Sequence, residues 1–319
     1  MSPSSRVDRR SSHGTPRRVV SPATTATLTL LAVTACWGST FFLIHDLLDR
    51  VPVLDFLAVR FALASLAIWL VAPRSVGRLS RARRRHALAL GALYGVAQIL
   101  QTAGLAHTAA SVSGFITGMY VVLTPVLAAL LLRTRIGGLT WAAVLLAVVG
   151  LGVLTLGDLG SGTGLAGLGY GEALTLVSAV VYALHIVGLG AWSDARDAIG
   201  MSLLQCVAIA VICGAAAAPG GVVLPVTAGD WLSVGYMAVF AGAGALLCQT
   251  WAQAHLPPTR SAIVMSMEPV FAAGFAVALG GESATARMLL GGALVLGAML
   301  LVELVPRRHV EGEVAHLAV

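Results

Sequence analysis

Apolar and polar positions alternate along the chain in long blocks. Ten apolar segments are separated by short polar joints, and they run at residues 25–45, 53–73, 86–106, 111–132, 138–157, 170–190, 200–219, 230–251, 259–280 and 287–305. Each is close to the roughly 20 residues that a helix needs to cross a bilayer. The joints carry Arg, Gly and Pro, and Gly and Pro end or turn helices. This pattern predicts an all-α integral membrane protein with ten transmembrane helices.

The composition of the 319-residue chain is that of a membrane protein. Hydrophobic residues make up 58% of the sequence, charged residues only 11%, and the mean hydropathy is +0.90. A soluble domain holds about 25% charged residues, because much of its surface must face water. The chain is basic, but its arginines cluster between apolar segments, which argues against nucleic acid as a partner.

The distribution of arginine predicts the orientation of the helices. If the N-terminus lies inside the cell, seventeen of the twenty arginines fall on inside segments and only Arg50 and Arg287 fall outside. Because inner loops are enriched in basic residues, this split favours an even number of helices and two cytoplasmic termini in the cell membrane. The polar stretches 1–24 and 306–319 are then cytoplasmic tails, the first of them disordered.

An internal repeat divides the apolar region in two. Residues 101–107 read QTAGLAH and residues 249–255 read QTWAQAH, and LTPVLAALLL at 123–132 is matched by MEPVFAAGFAV at 267–277. The repeat predicts two units, 25–157 and 170–305, joined by an external linker at 158–169. Because five is an odd number, the second unit has the opposite orientation in the membrane to the first. Inverted repeats are a common construction of secondary transporters.

Several longer motifs resemble one known family. They are ACWGSTFFLIHDLL (35–48), VPVLDFLAVRFALASL (51–66), GLAHTAASVSGFITGMYVVLTPVLAALLL (104–132) and SAIVMSMEPVFAAGFAVALGGE (261–282). Together they resemble the drug/metabolite transporter superfamily, EamA type. The resemblance implies ten helices in two EamA-like repeats and the transport of small metabolites or drugs. The chain departs from a symmetric pattern at one point, because Glu268-Pro269 is matched by Thr124-Pro125 in the first half.

Glu268 is the leading candidate for a functional charge. Ionisable groups are costly inside a membrane, so each is a candidate for function. Pro269 removes a backbone donor and opens the helix beside the carboxyl group. A carboxylate at such a break is suited to bind a cation or a proton, and we expect Glu268 to take part in proton coupling. The alternative is a structural acid paired with arginine or with a backbone donor.

Two other ionisable side chains lie inside predicted helices. Arg60 is interpreted as a structural charge that either reaches outward to the interface or pairs with Asp55, Asp46 or Asp49, although it could also neutralise an anionic substrate group. His185 titrates near neutrality, which makes it a second candidate for proton coupling. The alternative for His185 is a hydrogen-bonded packing residue.

Aromatic and neutral polar residues in the predicted helices are typical of a cavity lining. With Glu268 and His185, the predicted substrate-binding residues are Trp37, Thr40, Tyr120, Tyr182 and Gln249. The alternative is helix packing, in which Ser, Thr and Gln side chains form hydrogen bonds between helices. The sequence predicts no catalytic residue, metal site or cofactor, and its four cysteines form no CxxC pair.

The function predicted is secondary transport by alternating access, with proton coupling or exchange. The expected partners are a small-molecule substrate and the lipid bilayer, and a homodimer is left open. Two rivals are weighed against this function. One is a membrane sensor or partner subunit that does not transport, and the other is an intramembrane enzyme. The enzyme is disfavoured because the sequence has no HExxH or GxSxG motif and no pair of aspartates within its helices.

Overall fold

The computed structural model describes residues 21–108, 110–133, 135–155, 169–279 and 284–304. Most of these residues are helical, and no strand occurs within these ranges. The predicted tail at 306–319 lies outside the described residues, as does nearly all of the predicted linker at 158–169. Of the predicted tail at 1–24, only residues 21–24 are described, and the first helix already begins at Pro22.

Fourteen α-helices are present in the described residues. In the first half they are α1 (Pro22–Gly38), α2 (Phe41–Leu48), α3 (Val53–Val71), α4 (Arg81–Leu105), α5 (Ala110–Gly118), α6 (Tyr120–Leu132) and α7 (Gly138–Thr155). In the second half they are α8 (Tyr170–Trp192), α9 (Ala198–Ala217), α10 (Ala228–Tyr236), α11 (Ala245–Gln253), α12 (Pro258–Met265), α13 (Glu268–Leu279) and α14 (Ala286–Leu304). A π-helix, Met237–Gly244, joins α10 to α11 without a break.

Each of the ten predicted segments is occupied by helix. Five continuous helical stretches in the described residues are long and apolar enough to cross a membrane, and they are Val53–Val71, Arg81–Leu105, Tyr170–Trp192, Ala198–Gly220 and Ala228–Gln253. Three more are apolar but shorter: Ile116–Leu132, Gly138–Val153 and Ala286–Leu301. The first, fourth and ninth predicted segments are each divided into two shorter helices, and in the fourth only Met119 separates α5 from α6. The described part of the chain is therefore all-helical, as expected of a helical membrane protein, while the count of ten crossings stays a prediction.

Hydroxyl side chains and a proline mark the breaks in the first and ninth segments. Between α1 and α2, the Ser39 and Thr40 hydroxyls donate to the backbone carbonyls of Cys36 and Trp37, at 2.7 and 2.8 Å. Such bonds to the preceding turn compete with the helical ladder and bend helices. Between α12 and α13, Pro269 has no N–H to give to the carbonyl one turn earlier. The breaks therefore follow from local sequence.

The two halves of the chain interleave. The most extensive helix contacts are those of α7 with α14, α4 with α8 and α3 with α9, and each pair joins one half to the other. Glycine allows the backbones to approach closely: a Cβ atom on Gly91 in α4 would lie 2.7 Å from the Cα atom of Gln205 in α9. Neither half is therefore a separate lobe with its own core.

The outward surface of the helices is rich in large apolar side chains. Many of them are more than half exposed, including Leu70, Leu130, Leu131, Leu232, Phe240 and Leu289. A soluble protein rarely leaves so much contiguous apolar surface in water. In a bilayer the same side chains contact lipid at no cost, so the outer surface fits the membrane environment and polar groups are left for the interior.

Candidate functional site

A cavity of about 50 Å³ lies between helices of both halves, with room for a few water molecules. Most of its wall comes from α1 to α6 in the first half and from α8, α11, α12 and α13 in the second. The lining residues are Trp37, Thr40, Phe41, Ile44, Arg60, Tyr94, Gln98, Gln101, Thr102, Leu105, Thr117, Tyr120, Tyr182, Ile186, Gln249, Met265 and Glu268. The wall thus combines aromatic rings, neutral polar groups and one charge of each sign.

Six of the seven predicted substrate-binding residues lie on this one cavity. They are Trp37, Thr40, Tyr120, Tyr182, Gln249 and Glu268. Arg60, predicted as a structural charge, lines it as well. His185 does not line it. The structure therefore brings together side chains that are as far apart in the sequence as Trp37 and Glu268, and both halves of the chain contribute to the wall.

Glu268 stands at the broken helix, as the first residue of α13. Its side chain is 8% exposed, and the residues before it, Ser266 and Met267, belong to neither α12 nor α13. Within the described residues, no group forms a hydrogen bond or an ion pair with its carboxylate. A buried carboxylate without a partner is costly. A carboxyl group in this setting is suited to hold a proton or to contact a cation.

Arg60 is the buried cation of the same cavity and is only 2% exposed. Its Nε and Nη2 atoms donate to the backbone carbonyls of Met237 and Ala241, each at 3.3 Å. Its guanidinium group also lies 5.8 and 5.3 Å from the ring centroids of Phe56 and Phe61. These contacts hold the cation in place through dipoles and aromatic rings.

The predicted pairing of Arg60 with an aspartate is not observed in the described residues. Asp55 instead accepts a hydrogen bond from the backbone N–H of Val223, at 3.1 Å. The side chain of Asp46 lies outside the described residues, and Asp49 is exposed at the end of α2. No carboxylate of the described chain neutralises Arg60.

The π-helix supplies the acceptors that hold the cavity wall. Met237 and Ala241 both belong to this stretch, and Ala241 also accepts a hydrogen bond from the Trp37 indole N–H at 3.0 Å. The wider π turn changes the normal pattern of backbone bonds, and such turns are frequent at functional sites. The stretch ends in the small residues AGAG at 241–244.

A short chain of hydrogen bonds crosses the wall. The Tyr182 hydroxyl donates to the Gln101 side-chain carbonyl at 2.8 Å, and the Gln101 amide donates to the Thr117 hydroxyl at 3.0 Å. By contrast, the Tyr120 hydroxyl and the Gln249 Oε1 atom are buried and have no hydrogen-bond partner in the described structure. Unsatisfied polar groups of this kind are rare in proteins and are suited to contact a ligand or water.

His185 belongs to α8 and faces α9, behind the cavity wall. It is fully buried, and its Nε2 atom is 2.9 Å from the Gln205 Oε1 atom. Its ring is tilted against that of Tyr94, with centroids 4.9 Å apart, so Tyr94 separates it from the cavity. These contacts favour the alternative given above for His185, a packing residue with a hydrogen bond at Nε2, while its buried Nδ1 atom has no partner in the described structure.

Tyr94 and Thr117 are lining residues that the sequence analysis did not select. Tyr94 precedes Gln98 by four residues and Gln101 by seven, and this spacing places all three on one face of α4. The same spacing continues to Leu105, which also lines the cavity. A search for polar and aromatic residues at helical spacing would therefore have found Tyr94. Thr117 lies in the short helix α5 and has no comparable signal.

Ion pairs link the two halves away from the cavity. Arg50 lies 2.7 Å from the Asp230 carboxylate at the start of α10. Arg83 in α4 donates to the Trp192 carbonyl at 2.6 Å and lies 3.4 and 3.5 Å from the carboxylates of Asp194 and Asp197. In the predicted orientation the first contact is external and the second is internal. Arg83, Asp194 and Asp197 are partly exposed to solvent, which keeps their ion pairs weak, whereas Asp230 is buried and only its partner Arg50 is partly exposed.

Comparisons with known proteins agree with this architecture. A protein of Archaeoglobus fulgidus named "Uncharacterized transporter" is 28% identical over 279 residues, which cover 88% of this chain and 86% of that protein. A solved crystal structure superposes with a TM-score of 0.72 and 20% identity, over 89% of this chain and 98% of the other. At that identity the superposition shows the fold alone. The family model described as "EamA-like transporter family" matches residues 24–156 and 169–304. The family and the relative's name both indicate a transporter rather than an enzyme, and the chain belongs to the EamA-like transporter family.

Proposed function

We propose that the protein is a secondary transporter that carries small solutes through this cavity by alternating access. In this mechanism the two five-helix units rock against one another, so that the cavity opens first to one side of the membrane and then to the other. The observation that carries the proposal is the position of Glu268. Its carboxyl group has no partner among the described residues, and it lies in a cavity to which both halves of the chain contribute.

The helix contacts support an inverted repeat. If predicted segments 1–5 exchange with 6–10, the contact of α4 with α8 corresponds to that of α11 with α1, and both contacts occur. The exchange leaves the contacts of α3 with α9 and of α7 with α14 unchanged, because the two helices of each pair swap places. Such symmetry is what a two-fold axis between the units would give, and because each unit has five predicted spans, that axis would lie in the membrane plane. The ion pairs of Arg50 and of Arg83 then lie at opposite ends and can open in turn.

Glu268 is the proposed coupling group. A carboxyl group that releases its proton on one side of the membrane and is protonated on the other links solute movement to the proton gradient. The other titratable groups that line the cavity are Arg60 and the tyrosines Tyr94, Tyr120 and Tyr182, which do not exchange protons readily near neutral pH. His185 lies behind Tyr94 and is not assigned this role.

Solute flux in liposomes tests the proposal. The purified protein is reconstituted and loaded with a metabolite mixture, and release is measured by mass spectrometry with and without an imposed pH gradient. We expect wild-type flux to respond to the gradient and Glu268→Gln to lose that response. Asp55→Asn is the matched control, because it removes another buried carboxylate that lies outside the cavity, and it should keep the response.

The possible results separate the parts of the proposal. Flux that requires a counter-solute but ignores the pH gradient identifies exchange and removes Glu268 as a proton carrier. A pH response that persists in Glu268→Gln also removes it. The absence of flux for every solute tested would overturn the transport function.

A further inference from the structure

We infer that the cavity binds zwitterionic solutes, whose negative group contacts Arg60 and whose positive group contacts Glu268. This inference rests on the proposed transport function and names the class of its substrate. Both charged side chains are more than nine-tenths buried, and both line the same cavity. They do not form an ion pair with each other. Opposite charges that share a cavity without pairing leave a place for one ligand that carries both.

Arg60 keeps donors free for an anionic group. A guanidinium group has five N–H donors, and the described structure uses one on Nε and one on Nη2. The remaining donors lie on the two terminal nitrogens. Because the planar fork of arginine matches a carboxylate or a phosphate with two parallel hydrogen bonds, the free donors are suited to one such group.

Glu268 offers the complementary contact. An ionised carboxylate accepts hydrogen bonds at both oxygens, and neither oxygen has a partner among the described residues. An ammonium group of a ligand would supply donors as well as charge. Glu268 thus presents a site for the positive end of a solute.

The wall between the charges is aromatic and polar. Tyr94 and Tyr182 line the cavity together with Arg60 and Glu268. The unpartnered Tyr120 hydroxyl and Gln249 Oε1 can contact the polar part of a solute. Trp37 and the aliphatic residues of the lining would contact its apolar part.

Singly charged solutes fit this cavity less well. A cation would neutralise Glu268 but would be repelled by Arg60. An anion would neutralise Arg60 but would be repelled by Glu268. Either would also leave one buried charge without a partner, which is costly. A solute with both charges satisfies Arg60 and Glu268 together while remaining neutral overall.

Binding to a matched set of compounds tests the inference. The set contains α-, β- and γ-amino acids, each with its amide, which is only cationic, its N-acetyl form, which is only anionic, and its N-acetyl amide, which is neutral. Binding to the purified full-length protein is followed by tryptophan fluorescence and by thermal stabilisation. We expect at least one amino acid to bind roughly tenfold or more tightly than all three of its derivatives, because each lost contact to a buried charge is substantial.

Variants assign each contact. In Glu268→Gln, the amino acid should bind no better than its N-acetyl form, and in Arg60→Gln it should bind no better than its amide. Arg60→Lys keeps the positive charge, so it should still bind the amino acid more tightly than the amide. This variant tests the contact even if Arg60→Gln misfolds. Asp55→Asn should bind as the wild type does.

Other results overturn the inference. It fails if a singly charged or neutral derivative binds the wild type as tightly as its parent, if no amino acid binds, or if Glu268→Gln still prefers the amino acid over its N-acetyl form. The flux assay is independent of this set. If singly charged metabolites cross the membrane while no amino acid binds, the transport function stands and the zwitterion inference falls.

Discussion

The Trp37 indole and the Arg60 guanidinium donate to the same backbone oxygen, the carbonyl of Ala241, at 3.0 and 3.3 Å. This shared acceptor connects α1 and α3 of the first half to the π-helix of the second. A carbonyl oxygen has two lone pairs, so it can accept both bonds. The link fixes the position of the buried cation relative to the aromatic wall of the cavity.

Removing the indole donor should loosen this link. In Trp37→Phe the Ala241 carbonyl keeps only the Arg60 contact, and we expect stability to fall by about 1 kcal/mol, the net value of a typical hydrogen bond. The measurement is the apparent melting temperature of the purified protein in detergent.

The control for this change is Trp69→Phe. Trp69 lies in α3 and is half exposed on the outer surface. Its replacement should leave the melting temperature nearly unchanged. Equal losses in the two variants would show that the Trp37 bond to Ala241 contributes no more than general packing.

His185 should affect stability without affecting coupling. His185→Gln removes the ring that packs against Tyr94 and alters the contact with Gln205. We expect a loss of about 1–3 kcal/mol, typical of disturbed packing and of a buried polar group left unpaired. The response of flux to a pH gradient should remain as in the wild type.

Comparison with Glu268→Gln makes this prediction decisive. If the pH response disappears in His185→Gln and persists in Glu268→Gln, the coupling group is His185 and the assignment given above is reversed. Stability is measured on the same preparations, so a variant that simply unfolds is recognised.

Gly91 should tolerate no side chain. A Cβ atom there would lie 2.7 Å from the Cα atom and 2.9 Å from the carbonyl oxygen of Gln205, and backbone atoms cannot turn away as a side chain can. We therefore expect Gly91→Ala to force α4 and α9 apart and to cost about 1–3 kcal/mol. A lower melting temperature in detergent is the expected result.

Gly235→Ala is the matched control for Gly91→Ala. Gly235 lies in α10, and a Cβ atom there would meet no atom within 4 Å. Alanine favours helix over glycine by up to about 1 kcal/mol, so this variant should be neutral or slightly more stable. If Gly91→Ala is equally well tolerated, close approach of α4 and α9 is not required for the fold.

Much of the helical architecture could be predicted from the sequence. The apolar segments are long and clearly bounded, so all ten were located and each contains helix. Gly91 and Gly95 lie four residues apart, a spacing of small residues that favours close helix packing, and both face α9. The positions of the helix breaks were less predictable. Pro269 indicated the break before α13, whereas the break at Ser39 and Thr40 depends on hydroxyl bonds to the preceding turn.

The candidate site was predictable in its residue types but not in its contacts. Polar and aromatic residues inside apolar helices are few, so Trp37, Tyr182 and Gln249 stood out. Which of them share a wall depends on how each helix is rotated, and a single sequence does not give that rotation. His185 has the same polar character as the lining residues but faces α9. The π-helix was missed because its extra residue per turn leaves no clear pattern in an apolar run.

The partners of Arg60 are separated from it by 177 and 181 residues along the chain. During synthesis, α3 must therefore enter the bilayer long before the carbonyls of Met237 and Ala241 exist. An arginine within a new spanning helix is tolerated meanwhile by reaching toward the interface or by drawing in water. The last steps of assembly then wait for the eighth segment to leave the ribosome, and a chain that stops short of it retains an exposed charge that quality-control machinery can recognise.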